Sequence, residues 1–93
     1  MSKSASAVVS VPNRLGLHAR PAMIFVEAAS KLESNVTVRR CDQGDPVDGK
    51  SIMQMMMLAA TRGTELEIAA TGVDAEEAVK SLVKLVKSGF QDD

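Results

Sequence analysis

The hydrophobic pattern of the chain changes period several times, and each change predicts an element. Ala7-Val8-Val9-Ser10-Val11 is rich in β-branched residues and closes at Pro12-Asn13, which predicts a first strand. Residues 13–17 read as a loop carrying Gly16. Ala22, Phe25, Val26, Ala29 and Leu32 then fall on one face of a helix. Pro21 lies in its first turn, where a missing N–H costs little, so the helix starts at His18 or Ala19 and runs to Ser34-Asn35. His18 is thereby near its N-cap. Val36 and Val38 alternate with Thr37 and Arg39 in a second strand, Asp42-Gln43-Gly44-Asp45-Pro46 is turn chemistry, and Val47 to Lys50 reads as a short third strand in a hairpin. Ser51 followed by Gln54 is a capping-box pattern opening a second helix, with Gly63 as its C-terminal stop. Leu66, Ile68 and Ala70 alternate in a fourth strand. Asp74-Ala75-Glu76-Glu77 repeats the capping pattern, and Ala78, Val79, Leu82, Leu85 and Val86 line a third helix that ends at Gly89. Gln91-Asp92-Asp93 reads as a frayed tail.

The order is β-α-β-β-α-β-α. One apolar face per element predicts a two-layer α+β sandwich, with helices on one sheet face and solvent on the other. Ninety-three residues make one domain, residues 1–93, with an ordered core from about residue 6 to 89. Aromatics are limited to Phe25 and Phe90, so the core is aliphatic. In the methionine-rich run, Met55 and Leu58 are the better candidates for the core, which turns Met53 and Met56 outward.

Charge narrows the function. A net charge of −1 argues against nucleic acid as the main partner, and the shortage of aromatics removes the usual stacking platform. The one cysteine, Cys41, excludes an internal disulfide, fits a reducing compartment and reads as structural. No apolar run approaches the length of a membrane span, and Met1 to Ser6 lead into a β-like run and not a signal segment. The expectation is a cytoplasmic protein without membrane insertion. One histidine and one cysteine are too few for a zinc set, and Asp42, Asp45 and Asp48 lack a calcium-loop pattern, so no metal or cofactor is expected.

Candidate chemistry centres on Gly16-Leu17-His18-Ala19-Arg20-Pro21. Two readings of His18 fit this pattern: a capping or surface histidine, and a nucleophile in a phosphate cradle. The second rests on the imidazole lone pair, on the helix N-terminus as an anion site, and on the donor fork of Arg20. Ser51 likewise fits a plain N-cap or a regulated hydroxyl. The outward methionines fit either partial burial or a docking surface, for which methionine is adaptable.

The stretch from Gly16 to Pro21, with Lys50-Ser51-Ile52-Met53 about thirty residues on, resembles the HPr family of histidine-containing phosphocarriers of the phosphoenolpyruvate-dependent sugar phosphotransferase system. The likeness covers about Val8 to Lys87. It implies an open-faced sandwich of a four-stranded antiparallel sheet covered on one face by three helices. It implies that His18 is phosphorylated on Nδ1 by enzyme I, which is charged by phosphoenolpyruvate, and that Arg20 assists the phosphorylated imidazole. It implies that Ser51 is the site of HPr kinase/phosphorylase, that Ile52, Met53 and Met56 dock partners, and that enzyme IIA-type proteins accept the group. Such a protein is a carrier and not a stand-alone enzyme, and it acts best as a monomer. Leu15 stands where the family often has Asn or Ser, with Asn13 nearby, and the hairpin from Cys41 to Val47 is a residue or two longer. Two competing readings are a purely regulatory interaction protein controlled at Ser51 or His18, and an unrelated ligand- or RNA-binding module, which the charge disfavours.

Overall fold

The computed structural model describes residues 3–42 and 44–91. Its strands are β1 (Lys3–Ser10), β2 (Asn35–Arg40), β3 (Val47–Asp48) and β4 (Glu65–Gly72), and its helices are α1 (Ala19–Ser30), α2 (Ile52–Met57) and α3 (Ala75–Lys87), with a 3-10 turn over Gly89–Gln91. The strands form one antiparallel sheet in the order β1-β4-β2-β3. Alternation sorts them by face. Val9, Val36, Val38, Leu66, Ile68 and Ala70 are buried, while Ser4, Thr37 and Thr71 are exposed on the open face. The three helices lie on the buried side, giving the open-faced α+β sandwich expected from the pattern. Phe25 of α1, Met55 of α2, Leu82 of α3 and Phe90 of the 3-10 turn close the core. No described helix is long and apolar enough to cross a membrane.

The structure moves several element ends. The first strand begins at Lys3, well before Ala7, because eight consecutive residues pair in register with β4, from Lys3 opposite Gly72 to Ser10 opposite Glu65. Serines and a lysine carry little strand preference of their own; the partner strand supplies the hydrogen bonds. Helix α1 stops at Ser30, short of Ser34, with the Lys31 N–H bonding the Ala28 carbonyl at 3.3 Å. Helix α2 stops at Met57, so Gly63 is not its C-terminal residue. Ala59 takes the left-handed turn at φ 50°, and the Arg40 guanidinium holds the Leu58 and Ala59 carbonyls at 3.0 and 3.2 Å. Gly63 belongs to a separate turn, where its N–H reaches the Val11 carbonyl at 2.8 Å. Cys41 is exposed rather than structural, since the chain is leaving the sheet there. In the predicted turn after β2, Gln43 lies outside the described residues, as do Asp92 and Asp93 of the predicted tail.

The two predicted capping boxes are resolved differently. At Ser51 the hydroxyl accepts the Gln54 N–H at 3.3 Å, but the Gln54 side chain reaches past Ser51 to the Asp48 N–H at 2.9 Å. Asp74 sits at the N-cap of α3 yet makes no capping bond. Its carboxylate accepts the Glu33 N–H at 3.0 Å, the Ser34 N–H at 2.9 Å and the Ser34 hydroxyl, tying the α1–β2 turn to the start of α3. These donors, the Ser34 hydroxyl foremost, hold the Asp74 carboxyl below the usual carboxylate range. A folded value below the unfolded one adds stability above the unfolded value of about 4, and that stability is lost as pH falls through the folded value. Wild type should therefore melt above Asp74→Asn at pH 7, with the gap closing below pH about 4 in a thermal-melt series. A gap that persists at low pH would contradict this account.

Candidate functional site

The site is built on the loop between β1 and α1. Its ends are anchored to the loop between α2 and β4: the Val11 N–H bonds the Thr64 carbonyl at 2.9 Å, and the Leu17 N–H bonds the Ala60 carbonyl at 2.9 Å. Within the loop the Gly16 N–H returns to the Asn13 carbonyl at 3.1 Å, and the Asn13 side-chain NH2 donates to the Gly16 carbonyl. Gly16 is required twice. Its φ is +70°, and a Cβ there would lie 2.5 Å from the Ala60 carbonyl oxygen.

This scaffold delivers His18 to the N-cap of α1 in an extended conformation (φ −85°, ψ −169°). The side chain makes no capping bond and is partly exposed. The helical ladder starts behind it, with the Ala22 N–H on the His18 carbonyl at 3.0 Å. Arg20 follows two residues later and is exposed. The first turn of α1 carries no acidic residue, whereas α3 begins with Glu76 and Glu77. The positive end of the α1 dipole thus meets no carboxylate of its own first turn, and the arrangement suits a bound or transferred anion.

Ser51 is not part of that cluster. The start of α1 is tied to the chain just after α2 through Leu17 and Ala60, and its end is tied to the chain just before α2 by the Lys50 ammonium on the Leu32 carbonyl at 2.8 Å. The two helices therefore run antiparallel. His18 and Ser51 lie at opposite ends of the pair. Between them α2 presents Ile52, Met53, Met56 and Met57 to solvent, Met53 being 79% exposed, while Met55 and Leu58 are buried. For Met53, Met55, Met56 and Leu58 that is the division the spacing predicted.

Two more apolar side chains stand out from the site elements, Leu15 at 64% and Met23 at 46% exposure. Sequence reasoning did not single them out as surface features. A signal existed for Met23, which lies off the stripe of Ala22, Phe25, Val26 and Ala29. None existed for Leu15, whose exposure follows from the path of the loop. The burial of Asn13, only 3% exposed, was equally invisible, because it depends on the Gly16 turn and the C-terminal turn closing around it.

Comparison with known proteins shows the family and the fold. The family model described as "PTS HPr component phosphorylation site" matches residues 5–88. The phosphocarrier protein NPr of Proteus mirabilis is 38% identical over 85 residues, covering 91% of this chain and 93% of that protein. The phosphocarrier protein HPr of Neisseria meningitidis is 43% identical over 82 residues, covering 88% and 90%. A crystal structure of HPr from Thermoanaerobacter tengcongensis superposes with a TM-score of 0.87 at 39% identity, covering 96% of this chain and 98% of its own.

Proposed function

The chain belongs to the HPr family of phosphotransferase-system phosphocarriers, and from that premise we propose that the phosphoryl group is carried on Nδ1 of His18. The donor is enzyme I, charged from phosphoenolpyruvate, and the acceptors are enzyme IIA-type proteins of sugar uptake. In the loading step the Nδ1 lone pair attacks phosphorus, the new N–P bond forms, and the donor keeps the electron pair of the bond that breaks. Unloading reverses the roles. The protein turns over no small molecule and needs no cofactor or metal; it acts as a cytoplasmic monomer whose site meets one partner after another.

The single observation that carries this reading is the placement of the chain's one histidine, partly exposed and without a capping bond, at the N-terminus of α1 beside Arg20. Transfer runs through a transition state that spreads negative charge over the phosphoryl oxygens, so catalysis is mostly positioning and charge balance. The α1 N-terminus supplies partial positive charge, and the Arg20 fork supplies a full one. Intact-mass measurement after incubation with phosphoenolpyruvate and enzyme I tests the proposal. One acid-labile phosphoryl group is expected; none on a folded protein would overturn it.

Ser51 favours a second, regulatory layer. Its hydroxyl heads α2 directly before Ile52 and Met53, which we assign with Met56 to partner docking. A phosphate placed there by HPr kinase/phosphorylase suits the helix terminus, so it leaves the fold intact. It sits at the opposite end of the helix pair from His18 and directly before the docking residues, so it acts by burdening that surface with charge. The alternative, a mainly regulatory protein without a transport role, shares this site. Ser51→Ala is expected to cost about 0.5–1 kcal/mol of stability, at the low end for a cap because the bond is 3.3 Å long. Ser51→Asp should keep the cap and raise the half-saturating concentration for enzyme I several-fold. Titration of both variants in the phosphorylation assay separates capping from regulation, and an unchanged half-saturation for Ser51→Asp would remove Ser51 from control.

A further inference from the structure

We infer that Asn13 is a positioning residue for phosphoryl transfer, holding the peptide that aims His18. The inference rests on the carrier reading of His18 and starts from an unusual buried amide. The Asn13 side chain is 3% exposed, its NH2 donates to the Gly16 carbonyl, and its Oδ1 is buried with no hydrogen-bond partner among the described residues. A buried carboxamide oxygen left unpaired is a cost, and an apolar side chain would avoid it. What the amide supplies in exchange is local and specific. With the Gly16 N–H on the Asn13 carbonyl, the side-chain bond clamps the loop across both polar groups of Gly16. The next residue is fixed from the other side by the Leu17 N–H on the Ala60 carbonyl. Between them these three bonds leave the Gly16–Leu17 segment little freedom, and His18 hangs directly from it. Gly89 of the C-terminal turn backs the Asn13 side chain, a Cβ there lying 3.8 Å from its Cβ, so the clamp stands on packed structure rather than on a free loop.

Misplacing a reacting group by a fraction of an ångström is enough to slow a transfer whose catalysis is positional. Asn13 acts through the Gly16 peptide, whose carbonyl its side chain holds. Its loss should therefore slow the maximal transfer rate and leave partner docking alone.

The test compares Asn13→Ala and Asn13→Leu with wild type and with Val38→Ala, a truncation in the β2 core. The readouts are enzyme I-dependent phosphorylation at varied carrier concentration, thermal melting, and the imidazole NMR resonances of His18. Asn13→Leu fills the site that Asn13→Ala empties and removes the unpaired Oδ1, so it should melt above Asn13→Ala, while the Gly16 carbonyl loses its donor in both. Both Asn13 variants are expected to lose about tenfold or more in maximal rate at an unchanged half-saturating concentration, with displaced His18 resonances. Val38→Ala should melt lower and transfer normally. A folded Asn13 variant that transfers within twofold of wild type overturns the inference. So does a melting loss that predicts the rate loss equally well for Val38→Ala. If wild type accepts no phosphoryl group, the carrier reading fails, and the NMR arm decides alone: unmoved His18 resonances in the Asn13 variants refute the positioning role.

Discussion

His18→Ala is expected to abolish phosphoryl carriage and to leave the fold intact. The loss should be complete within detection, since the chain holds no second histidine to receive the group. The fold should survive because the His18 side chain makes no capping bond and is only partly buried. Intact mass after incubation with phosphoenolpyruvate and enzyme I, paired with a thermal melt, reads both halves of the expectation. A variant that still gains an acid-labile group would place the carrier atom elsewhere.

Gly16→Ala is the second large effect, and here fold and function should fail together. Two penalties combine. An alanine at φ +70° costs about 1–2 kcal/mol in backbone strain. Its Cβ would also stand 2.5 Å from the Ala60 carbonyl oxygen and 2.8 Å from the Thr61 Cα, both backbone atoms that move only if the loop separates from its partner. The expected destabilisation is about 3 kcal/mol, and the surviving folded protein should transfer at least about a hundredfold more slowly, since the displaced segment carries His18. Gly63→Ala is the matched control. It has φ +88° but nothing within 4 Å of the added Cβ, so only the strain of about 1–2 kcal/mol applies. Denaturant melts and transfer rates of the two variants should diverge by the clash alone. Equal effects would show that the close approach of the two loops does not govern the site.

These two positions also mark how far the chain could be read without its fold. His18, Arg20 and Ser51 were legible, because a histidine ahead of an amphipathic stripe and a serine ahead of another place themselves at helix starts. The inward turn of Met55 and the outward turn of Met53 and Met56 were legible for the same reason, a period of 3.6 residues. The resemblance to HPr added the phosphocarrier family, which the family match shows. Gly16 was visible as a loop glycine, but the reason it must be glycine was not. That reason is Ala60, forty-four positions away in the chain.

Local pattern determined the element order, the face each element buries and the position of the histidine, since all three depend on neighbours within a few residues. Contacts between distant segments decided the rest. Pairing with β4 drew Lys3 to Ser6 into a strand, Arg40 reached the carbonyls that close α2, and Asp74 gave its carboxylate to Ser34 instead of to its own helix. The antiparallel setting of α1 and α2 put Ser51 at the far end from His18, and the docking of the Gly16 loop on Ala60 buried Asn13 with one oxygen unpaired. A backbone donor or acceptor bonds whichever group the packed fold brings near it, and sequence spacing does not encode that proximity.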